Sequence, residues 1–197
     1  RLRCDWSSDV CSSDLVPTGV GAVTSSANVQ PGSTVAVIGC GGVGLNVVMG
    51  AALVNASKII AVDISEAQLE FALKFGATHT VNASDKDPVA QVRELTDGKG
   101  ADYTFEVFGS ADTTKAAYDM AGKKGVVTIV GIAPVGAEAG INAVDMVRNE
   151  KTMRGTYYGS THASVDMPKL VDMYLAGKLN LDRSEEHTSE LQSHLNL

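Results

Sequence analysis

The sequence predicts an α/β fold, a doubly wound parallel sheet with helices on both faces. Apolar runs of strand length alternate with segments of helical length between residues 16 and 182. Most of these runs, such as VAVI at 35–38, are apolar throughout and do not alternate with polar residues. Strands buried on both faces have this composition, and parallel strands need a crossover, usually a helix, between them.

Each strand is expected to be followed by a helix. The expected strands lie at 35–38, 57–63, 78–82, 101–109, 124–134 and 153–158. The expected helices lie at 43–54, 65–77, 87–98, 110–122 and 164–178, and the stretch that begins at 141 reads as a short strand or helix. One helix has three boundary signals, with Asp87 as its cap, Pro88 at its first position and Gly98 beyond its end.

Composition and charge exclude several kinds of partner. The 197-residue chain has a formal net charge of −7 and is 44% hydrophobic. This acidic balance argues against nucleic acid or an anionic membrane as the main partner, because both require clustered Lys and Arg. No apolar run reaches membrane-spanning length, and no signal peptide is expected. The composition therefore predicts a single globular domain in the cytoplasm.

The two ends differ in composition from the rest of the chain. DWSSDVCSSDL at 5–15 and RSEEHTSELQSH at 183–194 both translate one DNA sequencing-adapter word, read in opposite orientations. We therefore expect 1–15 and 183–197 to be foreign sequence, with the first segment irregular or disordered. The domain between them keeps one cysteine, Cys40, and two histidines, which are too few for a disulfide framework or a zinc site.

A glycine-rich turn follows the first strand. GCGGVG at 39–44 fits the pattern G-x-G-x-x-G between a strand and a helix. Gly39 permits the tight turn, Gly41 lets the backbone approach a pyrophosphate, and Gly44 lets the helix pack closely on the strand. The helix start then presents N–H groups and a positive dipole end to the phosphates. In this setting the pattern favours dinucleotide binding over a purely structural turn.

An acidic residue ends the second strand. Asp63 lies 24 residues after Gly39, where a carboxylate can accept hydrogen bonds from the adenosine ribose hydroxyls. The same carboxylate would repel a 2′-phosphate, and the residues that follow, ISEAQ at 64–68, include no Arg or Lys. The sequence therefore predicts NAD as the cofactor in preference to NADP.

The other polar candidates are interpreted as structural. Cys40 lies between glycines at a strand end, a place for a small apolar filler. His79 and His162 have no Cys, Asp or Glu partner at a metal-ligand spacing. Glu106 lies inside the fourth strand, where it is either a buried acid or the cap of a neighbouring loop. No catalytic residue and no metal ligand is predicted in 16–182.

The chain resembles the medium-chain, zinc-dependent alcohol dehydrogenases over 16–182. The resemblance rests on VPTGVGAV, PGSTVAVIGCGGVGLNVVMGA, IIAVDISEAQLEFALKFGATHTVN, GKGADYTFEVFG, GVVTIVGIAP and EKTMRGTYYGS. It implies an NAD-binding domain of the Rossmann type, with strand order 3-2-1-4-5-6, that closes against a separate catalytic domain holding zinc. In that family zinc stabilises the alkoxide oxygen of the substrate while hydride passes to the nicotinamide ring.

The resemblance also implies which residues hold NAD. Those expected at the pyrophosphate and ring are Gly39, Gly41, Gly42, Val43 and Gly44. Those expected at the adenosine are Asp63, Val107 and Phe108. Those expected at the nicotinamide are Thr18, Val130, Gly131, Ile132, Thr156 and Tyr158. Residues 141–144 resemble the edge strand through which these enzymes dimerise, so a homodimer or homotetramer is implied for the full-length enzyme.

One departure from the family bears on activity. The family usually has Gly-Cys-Gly just before VPTG, with the cysteine as a zinc ligand, whereas Asp14 stands at that position here. The other zinc ligands and the proton relay are expected outside the chain. The resemblance thus implies an NAD-binding piece that acts on an alcohol or aldehyde only within a complete enzyme.

Two alternatives stay open. One is a zinc-free quinone reductase of the same superfamily, although those enzymes tend to have Ala in place of Gly39 and to favour NADPH. The other is an NAD-binding module without catalysis.

Overall fold

The computed structural model describes residues 12–179, and its centre is one sheet of six parallel strands. In space the strands follow the order β3-β2-β1-β4-β5-β6, and each neighbouring pair is parallel. The strands are β1 (Thr34–Ile38), β2 (Lys58–Asp63), β3 (His79–Asn82), β4 (Ala101–Glu106), β5 (Ala121–Ile129) and β6 (Thr152–Gly155). The predicted fold class and strand order are confirmed.

Helices connect the strands and cover both faces of the sheet. They are α1 (Ser12–Gly21), α2 (Gly42–Leu53), α3 (Glu66–Lys74), α4 (Pro88–Leu95), α5 (Ala111–Met120), α6 (Ala143–Arg148) and α7 (Ala163–Leu175). A segment of π-helix (Ala22–Ala27) continues α1, and a short 3₁₀ turn (Tyr158–Ser160) follows β6. None of the helices within 12–179 is both long and apolar enough to cross a membrane.

Two apolar cores lie on opposite faces of the sheet. Successive side chains of β1 point to opposite faces, so Val35 and Val37 belong to one core while Ala36 and Ile38 belong to the other. The first core is completed by side chains from α1, α2, α3 and α7. The second is completed by side chains from α4 and α5. Burial on both faces explains why the strands are apolar throughout.

Local signals set several helix boundaries as predicted. Asp87 caps α4, because its Oδ1 accepts a hydrogen bond from the Val89 N–H at 3.0 Å, and Pro88 is the first helical residue. Gly76 follows the end of α3 with a φ of +111°, a conformation in which a side chain would be strained.

The last three strands are shorter at their carboxyl ends than predicted, and β4 ends at Glu106 instead of 109. β5 ends at Ile129, although the apolar run continues to Pro134, and β6 covers Thr152–Gly155 instead of 153–158. The N–H groups of Val130 and Gly131 both bond to the carbonyl of Glu106, which turns the chain out of the sheet. Composition alone could not separate the end of the strand from the apolar loop that follows it.

Of the two alternatives predicted for the stretch that begins at 141, the helix is found, and the edge strand that the resemblance implies at 141–144 is not. The side chain of Asn142 caps α6 instead, because its Oδ1 accepts hydrogen bonds from the N–H groups of Val144 at 3.0 Å and Asp145 at 3.1 Å. A local cap of this kind competes directly with strand pairing. The sheet edge on this side is β6.

Helix α1 was not expected ahead of β1. It begins at Ser12, so residues 12–15 are helical and not irregular. Gly19 allows α1 to approach α2 closely, since a Cβ at this position would lie 2.5 Å from the Cβ of Asn46. Tertiary packing therefore stabilises a helix that its glycines disfavour. Residues 1–11 and 180–197 lie outside the described part of the chain, and the foreign origin of both ends stays a prediction.

A cluster of polar groups holds α6 against the end of α5. The buried Lys151 ammonium lies 3.1 Å from Asp145 Oδ2 and donates to the Tyr118 carbonyl at 3.1 Å. The Tyr118 hydroxyl donates to the same Asp145 oxygen at 2.8 Å. Burial of Tyr118, followed by its hydrogen bond to Asp145 and the nearby negative charge, raises its pKa from 10.0 to about 12.

Replacing Tyr118 by Phe should reduce the alkaline sensitivity of the fold. The pKa of Tyr118 is higher in the folded chain than its ordinary value of 10.0, so its contribution to stability is complete below that value. The contribution is lost as pH rises toward about 12. Urea unfolding across this range should show a steeper fall in the free energy of unfolding for the wild type than for the variant. Parallel curves would contradict this role.

Candidate functional site

The glycine-rich turn lies at the point where the strand order reverses. β1 has β2 on one side and β4 on the other, so the strands β1 to β3 extend the sheet in one direction and the strands β4 to β6 extend it in the other. All carboxyl ends of the strands lie along the same edge of the sheet because the strands are parallel. In open α/β sheets, ligands bind in the crevice at this edge and at this switch point.

Two glycines of the turn are required by the protein's own packing. Gly39 has a φ of +89°, and a Cβ there would lie 3.0 Å from the backbone nitrogen of Phe108. A Cβ on Gly44 would lie 1.9 Å from the carbonyl oxygen of Gly39. The start of α2 therefore packs directly on the turn that precedes it, as the fingerprint predicts.

Gly41 is different, because nothing in the described part of the chain requires a glycine there. Its φ of −70° and ψ of −168° suit any residue, and an added Cβ would meet no atom within 4 Å. Gly41 is exposed and immediately precedes α2, without a side chain that caps the helix. The first N–H groups of a helix have no partner within it. The turn thus leaves an open cradle that a side chain would fill, beside helical donors suited to an anion.

The Asp63 carboxylate holds the same turn from β2. Its Oδ2 accepts a hydrogen bond from the Cys40 N–H at 2.7 Å, and its Oδ1 accepts one from the Ser65 N–H at 3.0 Å. Each carboxylate oxygen can accept a second hydrogen bond. Asp63 is only half-buried, so it can both order the turn and receive a ligand hydroxyl.

Cys40 is a structural residue, as interpreted from the sequence. Its side chain is fully buried. Burial, and then the negative charge of Asp63, raises the pKa of its thiol to about 12. The thiol is therefore protonated at neutral pH and does not supply a nucleophilic or metal-binding thiolate.

Two neighbouring loops extend the crevice over β4 and β5. Val107 and Phe108 follow β4, and the Phe108 ring is 70% exposed. Residues 130–132 follow β5, and the Ile132 side chain is 82% exposed. Large apolar groups this exposed at a ligand-binding edge suit contact with a ring system.

A third part of the edge is formed by α1 and the turn after β6. Gly159 lies against α1 so closely that a Cβ there would be 2.3 Å from the Pro17 carbonyl oxygen and 2.7 Å from that of Thr18. This contact places the backbone of Thr18 against the turn that contains Tyr158, which has a left-handed backbone with a φ of +49°. Thr156 follows β6 directly, where its N–H bonds to the Ile129 carbonyl at 2.9 Å. All the strand-following positions predicted to contact NAD therefore lie at the carboxyl edge.

The two histidines do not join this site. His79 begins β3, at the amino edge of the sheet, where its Nδ1 shares a hydrogen bond with the Thr78 hydroxyl at 2.8 Å. His162 is exposed and precedes α7, and its N–H donates to Asp166 Oδ2 at 2.9 Å. Neither histidine is grouped with other potential metal ligands in the described residues.

The comparison with known families decides where this arrangement belongs. A model of the family described as zinc-binding dehydrogenase matches residues 42–176, which is more than half of the chain. The chain belongs to the zinc-binding dehydrogenase family. The matched span begins in the glycine-rich turn and ends just past α7.

Curated relatives of the chain include two enzymes named as dehydrogenases. The chain is 42% identical over 182 residues to an "Alcohol dehydrogenase class-3" of Myxine glutinosa. It is 38% identical over 179 residues to an "S-(hydroxymethyl)glutathione dehydrogenase" of Synechocystis sp.. In both cases the match covers 90% of this chain and 48% of the relative. The chain thus spans about half the length of the curated relatives it matches.

Solved structures agree with this assignment. Benzyl alcohol dehydrogenase from Acinetobacter calcoaceticus superposes with a TM-score of 0.85 at 31% identity, covering 99% of this chain and 57% of that one. A putative zinc-binding dehydrogenase from Sinorhizobium meliloti, bound to NADP, superposes with a TM-score of 0.73 at 26% identity. That match covers 87% of this chain and 49% of the other.

The family name implies zinc, but the described residues do not fit a zinc site. Within 12–179, no three His, Cys, Asp or Glu side chains are grouped so that they could hold a metal ion. The buried Cys40 thiol lies at the start of the glycine-rich turn, and its raised pKa disfavours the thiolate that zinc binds.

Substituting Gly44 by Ala should destabilise the fold strongly. The new methyl would overlap the Gly39 carbonyl oxygen at 1.9 Å, and backbone cannot yield as a flexible side chain can. We expect a loss of at least about 2–3 kcal/mol in the free energy of unfolding, measured by urea denaturation. The matched control is Gly41→Ala, whose methyl meets nothing and should change stability by less than about 0.5 kcal/mol. Equal stabilities of the two variants would contradict the close packing.

Proposed function

We propose that this chain is the NAD-binding part of a zinc-dependent alcohol dehydrogenase. The observation that carries the proposal is the open cradle at Gly41, where the fold leaves space for a group against the backbone. Within a complete enzyme, the substrate would be an alcohol, or the adduct of a thiol and an aldehyde. This class is supported by the names of the class-3 alcohol dehydrogenase, the S-(hydroxymethyl)glutathione dehydrogenase and the benzyl alcohol dehydrogenase.

The residues of the turn would bind the pyrophosphate of NAD. Gly41 lets it approach the backbone, while the N–H groups at the start of α2, from Gly42 to Gly44, donate to its oxygens. Asp63 would accept hydrogen bonds from the adenosine ribose, with Val107 and Phe108 lining the adenosine.

The nicotinamide would lie over the far part of the crevice. The residues that would line it are Thr18, Val130, Gly131, Ile132, Thr156 and Tyr158. When bound, NAD supplies the acceptor for a hydride from the alcohol carbon. The contribution of this chain is to hold the nicotinamide ring in place, and we propose that it does not oxidise alcohols alone.

The preference for NAD over NADP rests on Asp63. Its carboxylate is fixed by two backbone N–H groups, so it could not easily turn away from a 2′-phosphate on the ribose. The repulsion between them would disfavour NADP. The NADP-bound relative from Sinorhizobium meliloti means that membership of the family alone does not decide the cofactor.

The proposal extends to the setting of the enzyme. We propose a cytoplasmic homodimer or homotetramer that acts on a small molecule and uses neither nucleic acid nor a membrane as partner. The acidic balance of the chain, with 23 Asp and Glu against 16 Lys and Arg, supports the absence of a polyanionic partner.

Gly41→Ala should weaken NADH binding without unfolding the chain. A methyl in the cradle would hold the pyrophosphate away from the backbone, and overpacking of this kind raises Kd about tenfold or more. Titration by NADH fluorescence measures the effect. The matched control is Gly140→Ala, because a Cβ there also meets no atom within 4 Å and lies outside the glycine-rich turn. Equal affinity of the two variants would remove the main support for the proposal.

Asp63→Asn should reduce the preference for NADH over NADPH. Removal of the negative charge abolishes the repulsion of a 2′-phosphate and weakens the bonds to the ribose, which are worth about 1.5–3 kcal/mol when charged. Loosening of the turn would weaken the binding of NADH and NADPH equally, so the ratio of their two dissociation constants isolates the effect of the charge.

Asp102→Asn is the matched control for this ratio. Asp102 Oδ2 also accepts a backbone N–H, that of Thr34 at 2.8 Å, but at the amino edge of the sheet. Asp102→Asn should leave the ratio of the two dissociation constants unchanged. Tighter binding of NADPH than of NADH by the wild type would overturn the cofactor assignment.

A further inference from the structure

Glu106 is a fully buried acidic residue in a central strand of the sheet. It ends β4, pairs in register with Ile38 of β1 and Ile129 of β5, and has no exposed surface. A buried carboxyl group is unfavourable unless hydrogen bonds compensate for the loss of water. Hydrogen bonds to Oε1 provide this compensation in part, whereas the buried Oε2 has no hydrogen-bond partner within the described residues.

The side chain of Glu106 holds the loop that follows β4. Its Oε1 accepts hydrogen bonds from the Gly109 N–H at 2.6 Å and from the Thr113 hydroxyl at 2.8 Å. Thr113 is also part of the capping box that begins α5, with Ser110 as its partner. One carboxylate oxygen thus fixes the path of the loop and its entry into α5.

The backbone of Glu106 holds the loop that follows β5. Its carbonyl accepts hydrogen bonds from the N–H groups of Val130 at 2.8 Å and Gly131 at 3.0 Å. One residue therefore bonds to both loops, the first through its side chain and the second through its main chain.

The two loops and the glycine-rich turn are in direct contact. A Cβ on Gly131 would lie 2.4 Å from the Gly109 nitrogen, and a Cβ on Gly109 would lie 2.7 Å from the Ile132 carbonyl oxygen. On the other side, Gly39 packs against the Phe108 backbone. The backbones thus lie so close together that no side chain fits between them, and we expect a displacement of Gly109 to disturb its neighbours on both sides.

We infer that Glu106 is a positioning residue for the cofactor cleft. Through Gly109 it fixes the Phe108 backbone against the glycine-rich turn, and through the same residue it fixes Ile132. It thereby couples the adenosine and nicotinamide ends of the cleft without itself lining them. This inference rests on the proposed function, since it assigns Glu106 a role in binding NAD.

The test compares a variant without the acceptor and one that restores it. Glu106→Met removes both oxygens at similar size, and we expect it to raise the Kd for NADH at least tenfold. The same variant should accelerate amide hydrogen exchange at Gly109 and Gly131 together, as read by NMR of the full chain. Glu106→Gln keeps an oxygen that can accept both bonds, and should keep the Kd within about threefold of the wild type.

A control separates positioning from stability. Val92→Ala removes fully buried methyl groups from α4 on the same face of the sheet, so it should lower stability while leaving the Kd and the exchange of both loops unchanged. If Glu106→Met does not fold, Thr113→Val removes one of the two partners of Oε1 instead. It should still raise the Kd and the exchange at Gly109.

The outcomes distinguish this inference from the proposed function. A wild-type chain that binds no NADH would overturn the proposed function, and the role of Glu106 in NAD binding with it. If the wild type binds NADH, and Glu106→Met and Thr113→Val leave the affinity unchanged, only the role of Glu106 is refuted. An equal loss of affinity in Val92→Ala would also refute it, because the effect would then follow stability.

Discussion

The close approach of α2 to the turn that precedes it is the constraint on which the rest of the site depends. Gly44 lies so near the Gly39 carbonyl that no side chain fits between them. This contact fixes where the N–H groups at the start of α2 point and leaves the cradle at Gly41 open. The direction of α2 also decides how α1 packs, because Gly19 lies directly against Asn46 of α2. Packing and ligand chemistry therefore depend on the same few atoms.

Acidic side chains stabilise this arrangement from within the sheet. Asp63 at the end of β2 bonds to the glycine-rich turn, and Glu106 at the end of β4 bonds to the loop that follows it. Asp63 accepts two backbone N–H groups and Glu106 accepts one, all from residues just past the ends of strands. The site is thus held in shape by hydrogen bonds to fixed backbone, which lowers the entropy lost when a ligand binds.

Much of this fold could be predicted from the sequence, for local reasons. Continuous apolar strands, the capping residue Asp87 and the fingerprint at 39–44 all act over short distances along the chain, and the structure has each of them in place. The loops after β4, β5 and β6 were misread as strand, and the stretch from 141 could not be assigned between strand and helix. In these cases apolar composition does not distinguish a strand from a loop or helix start held by a distant or competing hydrogen bond.

The sequence by itself determined the order of the elements, the dinucleotide fingerprint and the acid that follows it, because each depends on residue types at fixed spacing. Only the tertiary structure decided which glycines are needed for packing and which one leaves space for a ligand. Gly41 and Gly44 are the same residue type and differ only in the atoms that surround them. The tertiary structure also decided what Glu106 does. The role of this buried acid depends on its hydrogen bonds to Gly109, Thr113 and the loop after β5. These groups come together only because the parallel strands end along one edge.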